Sequence, residues 1–127
     1  MSEPLRTRLR HQFRAESTLQ SVLRDFAAVG LPREPVTSRI EVGDHGGLTA
    51  HVDVAGRVLR VCAEQPQRLA AAVASFLQEG ELLRGTEWPS IPGLGVLRPV
   101  VQGEKAVWAL SDGSTLCEIG DLFSPVP

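Results

Sequence analysis

The fold of this chain is decided by residues 48–60, LTAHVDVAGRVLR. Apolar and polar side chains alternate without a break over residues 48–54, and a period of two is typical of a strand with one buried face. The pair Ala55-Gly56 is a tight connection, and residues 57–63, RVLRVCA, have the composition of the next strand. The stretch therefore predicts an antiparallel hairpin with one face against a core and the other towards solvent.

A further strand is predicted before this hairpin. Residues 36–42, VTSRIEV, put Val36, Ile40 and Val42 on one face, and the turn cluster GDHGG follows at residues 43–47. The three strands together predict a meander, a three-stranded antiparallel sheet in which each strand pairs with the next along the chain.

One helix is predicted on each side of the meander. The first begins at Ser17, because Ser17 and Gln20 have the spacing of a capping box, and it ends at Gly30. The second covers residues 66–79, with a proline at its first position and Gly80 as its stop. Both have an apolar stripe at helical spacing, which consists of Leu19, Val22, Leu23 and Phe26 in the first helix and Leu69, Val73, Phe76 and Leu77 in the second. The expected fold class is α+β, with an α-β-β-β-α core and both helices on one face of the sheet.

The core is predicted to span residues 17–84, between a basic N-terminal arm or short helix at 1–16 and a β-rich extension at 85–127. A separate domain of roughly 40 residues would hardly be stable alone, so the extension is expected to pack on the core or to form a partner surface. Short strands are predicted at 94–101, at the edge of a sheet because of its proline, and at 105–110. For residues 114–119 a strand and a short capped helix are both open.

The N-terminal arm has two periodic rows. In each row the residues are four positions apart. The first row is apolar and consists of Leu5, Leu9 and Phe13, and the second is basic and consists of the next residue in each case, Arg6, Arg10 and Arg14. This pattern is that of a basic amphipathic helix. Two interpretations are open: an arm that binds nucleic acid, or a helical turn packed through its three apolar residues with the arginines merely solvated.

Charge limits the classes of partner. The chain has 13 basic and 15 acidic residues and a net charge of −2, with about +3 in residues 1–14. It is therefore not a broadly basic nucleic-acid-binding protein, and a polyanion would have to meet a local patch such as the arm. The two cysteines have no metal-ligand spacing and predict reduced thiols, which suits a cytoplasmic location. Neither a signal peptide nor a membrane span is predicted.

Several strings in this order resemble a double-stranded-RNA-binding domain over residues 17–83. LRDFAAVGLP at 23–32 is similar to the end of the family's first helix, and GDH at 43–45 resembles its Gly-Pro-x-His loop without the proline. LTAHVDVAGRVLR at 48–60 resembles the second strand, the glycine turn and the third strand. The small and leucine positions after Gly56 resemble the family's last helix.

The resemblance implies a surface that recognises duplex RNA by its shape over about 16 base pairs. The matching positions are Gln20 and Arg24 in the first helix, His45 in the loop, and Gln67 and Arg68 at the start of the last helix. Where the family has a lysine cluster, this chain has only Arg68 as a charge, and fewer neutralised phosphates mean less counterion release and weaker binding. Three interpretations are open: the domain binds RNA weakly, it borrows charge from Arg6, Arg8, Arg10 and Arg14 of the arm, or it is a degenerate copy that binds protein.

The expected function is that of a non-enzymatic binding module that binds duplex RNA weakly. One alternative is a protein-interaction module that dimerises through a sheet edge or the C-terminal strands. Another is a small acidic secretion chaperone, a class with the same element order that dimerises but usually ends in a long helix, whereas this chain ends in SPVP. No catalytic residue, metal or cofactor is predicted.

Side chains that could suggest a site are given structural roles. His51, with Asp53 and Asp44, is explained as part of an exposed strand face rather than as a metal site. Cys62 is expected to face the core, and Trp88 and Trp108 are expected to fill the core of the extension.

Overall fold

The chain folds into an α+β structure with one long N-terminal helix, a second helix and antiparallel sheets. A computed structural model describes residues 5–43 and 47–123. The elements in chain order are α1 (Leu5–Ala27), β1 (Val36–Val42), β2 (Leu48–Val54), β3 (Arg57–Ala63), α2 (Pro66–Leu82), β4 (Ser90–Ile91), β5 (Gly95–Val96), β6 (Arg98–Gln102), β7 (Lys105–Ala109) and β8 (Thr115–Glu118).

The predicted meander is confirmed. Strands β1, β2 and β3 lie in that order and both pairs are antiparallel, with Ala50 opposite Ile40 on one side and Val61 on the other. The apolar residues of β2 are buried, as their alternation predicts. Ala55 and Gly56 both have positive φ, 53° and 87°, as a two-residue hairpin turn requires. Asp53 closes the turn by accepting a hydrogen bond of 3.0 Å from the Gly56 backbone N–H.

Both helices pack on the same face of this sheet. Val22 and Phe26 of α1, Val73 and Ala74 of α2, and Val52 of β2 are all fully buried in one cluster. Each fully buried valine or phenylalanine side chain contributes about 1.5–3 kcal/mol through the hydrophobic effect. This shared cluster fixes α1 and α2 against the meander.

Helix α1 is continuous from Leu5, so the prediction of a helix start at Ser17 is wrong. No glycine or proline interrupts residues 5–27, and most of them are good helix formers. The hydroxyl groups of Thr18 and Ser21 bond to the carbonyl oxygen four residues earlier, as they do inside a helix. Ser21 Oγ donates to the Ser17 carbonyl oxygen at 3.1 Å, and Thr18 Oγ1 donates to the Arg14 carbonyl oxygen at 2.8 Å. The predicted boundary between residues 16 and 17 therefore falls within one helix.

Helix α2 runs two residues beyond Gly80, the predicted stop. Gly80 provides space instead, because a Cβ atom there would lie 2.8 Å from Nη1 of Arg57. Arg57 Nη1 donates a 2.8 Å hydrogen bond to the Phe76 carbonyl oxygen, and the guanidinium lies 4.3 Å from the centre of the Phe76 ring. The chain leaves the helix further on at Gly85, with φ of 86°. Arg57 thus attaches β3 to the last turns of α2.

The extension packs on the core through Trp108 of β7. Its ring is fully buried, and its centre lies 6.2 Å from that of Phe26 in α1, while Trp88 lies 4.6 Å from Phe26. The two tryptophans therefore join the core of the α-β-β-β-α unit instead of filling a separate core in the extension.

The strands of the extension partly match their predictions. β6, β7 and β8 form a three-stranded antiparallel sheet, and β8 replaces the short helix that remained open there. The predicted strand at 94–101 is divided between β5, which pairs with β4, and β6. Pro99 lies in β6 at the edge of its sheet, as predicted.

A buried carboxylate attaches the end of the described chain to α1. Asp25, 1% exposed, accepts hydrogen bonds from Trp108 Nε1 at 2.8 Å, from the Gly120 backbone N–H at 2.6 Å and from that of Leu122 at 3.2 Å. Gly120 has φ of 106°, and a Cβ atom there would lie 2.7 Å from Cβ of Ser21. Only glycine therefore allows this close approach of the chain to α1.

Candidate binding surface

The N-terminal half of α1 presents large apolar side chains to solvent. We define the apolar row as Leu5, Leu9 and Phe13, which are 69%, 56% and 72% exposed. Residues four apart lie on one helix face, so the row is a continuous stripe. The interpretation in which these residues pack against the core is wrong. Among the described residues of α1, the first to be buried is Ala15.

Arginines flank the apolar row. We define the arginine row as Arg6, Arg10 and Arg14, all of which are exposed. Within this region the side chains of Gln12 and Glu16 join successive turns, with a 3.1 Å hydrogen bond from Gln12 Nε2 to Glu16 Oε1. The result is an amphipathic helix half with an apolar stripe and a positive flank.

Two of the predicted RNA contacts come together beside the start of α2. Arg14 and Gln67 line the same open cleft, which has a volume of about 420 Å³. Gln67 Nε2 donates to Gln65 Oε1 at 3.0 Å and to the Gly103 carbonyl oxygen at 3.3 Å. Arg68 is exposed, and its Nε lies 3.4 Å from Gln65 Oε1. The turn between β6 and β7 therefore occupies part of the surface that duplex RNA would need.

The electrostatic character of this cleft is mixed. Glu64 and Glu104 line it together with Arg14. Lys105 lies next to it, but its Nζ is 2.9 Å from Glu118 Oε1, and this hydrogen bond raises the pKa of the lysine. A phosphate in the cleft would face two carboxylates and a lysine that already has a partner.

The remaining predicted contacts lie elsewhere or outside the described residues. Gln20 is exposed on α1. Arg24 Nε donates a 3.1 Å hydrogen bond to the Gly120 carbonyl oxygen, so this side chain helps to hold the C-terminal segment. His45 lies outside the described residues. The structure thus brings together Arg14 and Gln67, leaves Arg68 exposed beside Gln65, and gives Arg24 a structural contact.

A groove between α2 and the extension was not predicted. Its volume is about 430 Å³, and its apolar side chains include Leu82, Trp88, Val96 and Pro99. At its rim lie the charged residues Glu79, Glu87 and Arg98. Gln78 crosses its floor, where Nε2 donates a 2.6 Å hydrogen bond to the Leu97 carbonyl oxygen. In the sequence, only the apolar residues that follow Gly80 hinted at this feature.

The open face of the meander has a row of two arginines and a histidine across its three strands. His51 lies opposite Arg39 on one side and Arg60 on the other. Nε2 of His51 has no hydrogen-bond partner and lies 3.6 Å from Glu41 Oε1, which itself pairs with Arg39 at 3.0 Å. No three metal-ligating side chains cluster within residues 5–43 and 47–123, and Asp44 lies outside those ranges.

The two cysteines differ in environment. Cys62 is exposed on the open face of the meander, with its Sγ 3.4 Å from Thr49 Oγ1, so the prediction that it faces the core is wrong. Cys117 is partly buried. Burial raises the pKa of its thiol, and the negative charges of Asp25, Asp121 and Glu118 raise it further. Cys117 therefore lacks the electropositive setting of a reactive nucleophile.

Searches against protein-family models, curated proteins and solved structures found no match for this chain. Neither helix, as far as the described residues extend, has the length and apolar content that crossing a membrane would require.

Proposed function

We propose that this chain is a non-enzymatic protein-interaction module that assembles with a second copy of itself through the apolar row of α1. The observation that carries the proposal is the exposure of Leu5, Leu9 and Phe13, each more than half accessible to solvent on one helix face. Amphipathic helices with apolar residues at this spacing commonly bind by laying that face in an apolar groove. An exposed apolar stripe rimmed by charge marks an interaction surface.

Charge favours a second copy as the partner. Residues 1–14 carry four arginines and one glutamate, about +3, whereas residues 15–127 carry nine basic and fourteen acidic residues, about −5. The arginine row is therefore attracted to the body of another copy. Opposite potentials of this kind steer association and select the partner.

The scaffold for this role is a core that resembles a double-stranded-RNA-binding domain. Its support is the α-β-β-β-α order together with the packing of both helices on one face of an antiparallel meander. In this proposal the long α1 adds a protein-binding segment to that scaffold.

Sedimentation equilibrium is the test of self-association. We expect the wild-type chain to dimerise in the micromolar range, and we expect Phe13→Ser to raise the dimer Kd at least about tenfold, because aromatic anchors dominate interface energies. Val58→Ser is the matched control, because Val58 is a similarly exposed apolar residue, 62% accessible, on the open face of the meander. A wild-type chain that stays monomeric at about 300 µM, which corresponds to roughly 5 kcal/mol, would overturn the proposal.

A second candidate function is weak binding of duplex RNA. It is favoured by the cleft that Arg14 shares with Gln67, because α1 continues the arginine row up to the start of α2. The two glutamates in that cleft oppose a phosphate and limit the expected affinity.

Titration of a duplex of about 16 base pairs tests this candidate. We expect binding that weakens steeply between about 50 and 200 mM salt and a further loss in Arg14→Ala. The control is Arg39→Ala, which removes an exposed arginine from the open face of the meander. Equal affinity of the Arg14→Ala and Arg39→Ala variants would exclude the cleft as the RNA site.

A further inference from the structure

We infer that the apolar row of one copy binds in the groove between α2 and the extension of the second copy. The inference rests on the proposed function, and it names the acceptor of the helix. The groove presents Leu82, Trp88, Val96 and Pro99, with a volume of about 430 Å³. Apolar clefts of about 300–1,000 Å³ are typical binding cavities, so this one has room for the side chains of one helix face.

The rim of the groove matches the flank of the helix in charge. Glu79 and Glu87 lie at the rim, and the arginine row runs along the apolar row at the same spacing of four. Glu79 already lies 3.4 Å from Nη2 of Arg57, so Glu87 is the better partner for an incoming guanidinium. Arg98 lies at the rim as well and would repel an arginine, so the helix is expected to place its charged flank on the side of Glu87.

The positions of helix and groove in one molecule suit a reciprocal dimer. Arg14, near the middle of α1, shares a cleft with Gln67 at the start of α2, and Phe26, near the end of α1, meets Trp88, which follows α2. The groove is lined by the second half of α2, from Ser75 to Leu82, so it lies towards the opposite end of the two helices from the apolar row.

Two copies that lie side by side and run in opposite directions bring each apolar row to the other copy's groove. A two-fold axis makes both contacts equivalent, and the assembly closes as a dimer. The same contact made in one direction only would give an open chain of subunits.

Charge reversal tests the acceptor. We expect Arg10→Glu and Glu87→Arg each to raise the dimer Kd about tenfold, because each places like charges together at the rim. The double variant restores the pair in reversed polarity, so its Kd is expected within about threefold of the wild type. Glu41→Arg is the control for Glu87→Arg, since it makes the same charge change on the open face of the meander. All three positions, Arg10, Glu41 and Glu87, are exposed, and circular dichroism checks that each variant is folded.

The outcomes separate this inference from the proposed function. If Phe13→Ser abolishes dimerisation while Arg10→Glu has the Kd of the wild type and Glu87→Arg has that of Glu41→Arg, the apolar row still drives association and the groove is not its acceptor. If both single variants weaken the dimer but the double variant shows no recovery, Arg10 does not face Glu87 and the inference is overturned. A monomeric wild type overturns the inference and the proposed function together.

Discussion

Replacement of Asp25 by alanine is expected to lower the free energy of unfolding by about 3–5 kcal/mol. The buried carboxylate accepts hydrogen bonds from the Trp108 indole N–H and from the backbone N–H groups of Gly120 and Leu122. Each buried donor that loses its acceptor costs about 1–3 kcal/mol, and charge-assisted bonds lie at the upper end of the range. Guanidinium denaturation followed by tryptophan fluorescence and far-ultraviolet circular dichroism measures the change.

Two further variants make the Asp25 experiment specific. Asp53→Ala removes an exposed carboxylate that accepts one hydrogen bond from Gly56, and its expected cost is at most about 1 kcal/mol. Asp25→Asn keeps the shape of the side chain and one acceptor oxygen but places an amide NH₂ against another donor. Its free energy of unfolding is therefore expected to lie between those of the wild type and Asp25→Ala. If Asp25→Ala costs no more than Asp53→Ala, Asp25 does not hold the C-terminal segment on α1.

The meander was predictable because its signal is local and redundant. All the apolar residues of β2 lie on the same buried face, and a shift of the strand register by one residue would expose all of them. The turn residues Ala55 and Gly56 fix the register of the hairpin between β2 and β3. The alternation of apolar and polar residues and the residues of the turn agree on the same hairpin, so only one pairing of residues 48–63 was compatible with both.

Helix boundaries were predicted less well because two local signals competed. Ser17 and Gln20 have the spacing of a cap, but an uninterrupted run of helix-forming residues precedes them, and the helix continues through both. At the other end of the core, Gly80 could have been a stop. The helix continues past it to Leu82, and the space beside Gly80 is taken by the guanidinium of Arg57, more than 20 residues earlier in the chain. Such a contact has no signature in the residues around Gly80.

The anchoring of the extension could not be predicted for the same reason. Asp25 lies in a helix where a carboxylate is normally exposed, and its partners Trp108 and Gly120 are 83 and 95 residues away. Nothing close to Asp25 in sequence indicates that it is buried. The predicted RNA contact Arg24 is affected by this arrangement, because it too binds Gly120.

Of the two parts of the candidate surface, the sequence predicted the apolar row but not the groove. The spacing of Leu5, Leu9 and Phe13 predicted the apolar row, but a spacing cannot show whether another part of the same chain covers the stripe. The groove exists only because the chain after α2 returns past Trp88 to pack β6 beside the helix. Both halves of the proposed contact therefore depend on tertiary packing.

Phe26→Ala is expected to destabilise the fold by about 3–5 kcal/mol, the usual cost of removing a buried phenylalanine ring. Phe26 is fully buried, and its ring lies 4.6 Å from that of Trp88 and 6.2 Å from that of Trp108. It therefore connects α1 to both tryptophans of the extension. Because these contacts belong to one core, fluorescence and circular dichroism should report one coincident unfolding transition in the wild type and in the variant.

Phe13→Ala is the matched control, since it makes the same substitution in the same helix. Phe13 is 72% exposed, so at about 0.1 µM, where a micromolar dimer is largely dissociated, the expected cost of Phe13→Ala is within about 0.5 kcal/mol. A difference of several kcal/mol between the two variants would show that α1 has one half that holds the fold and one half available for a partner. Equal costs, or a fluorescence transition separated from that of circular dichroism, would mean that Phe26 does not join the extension to α1 in a single cooperative core.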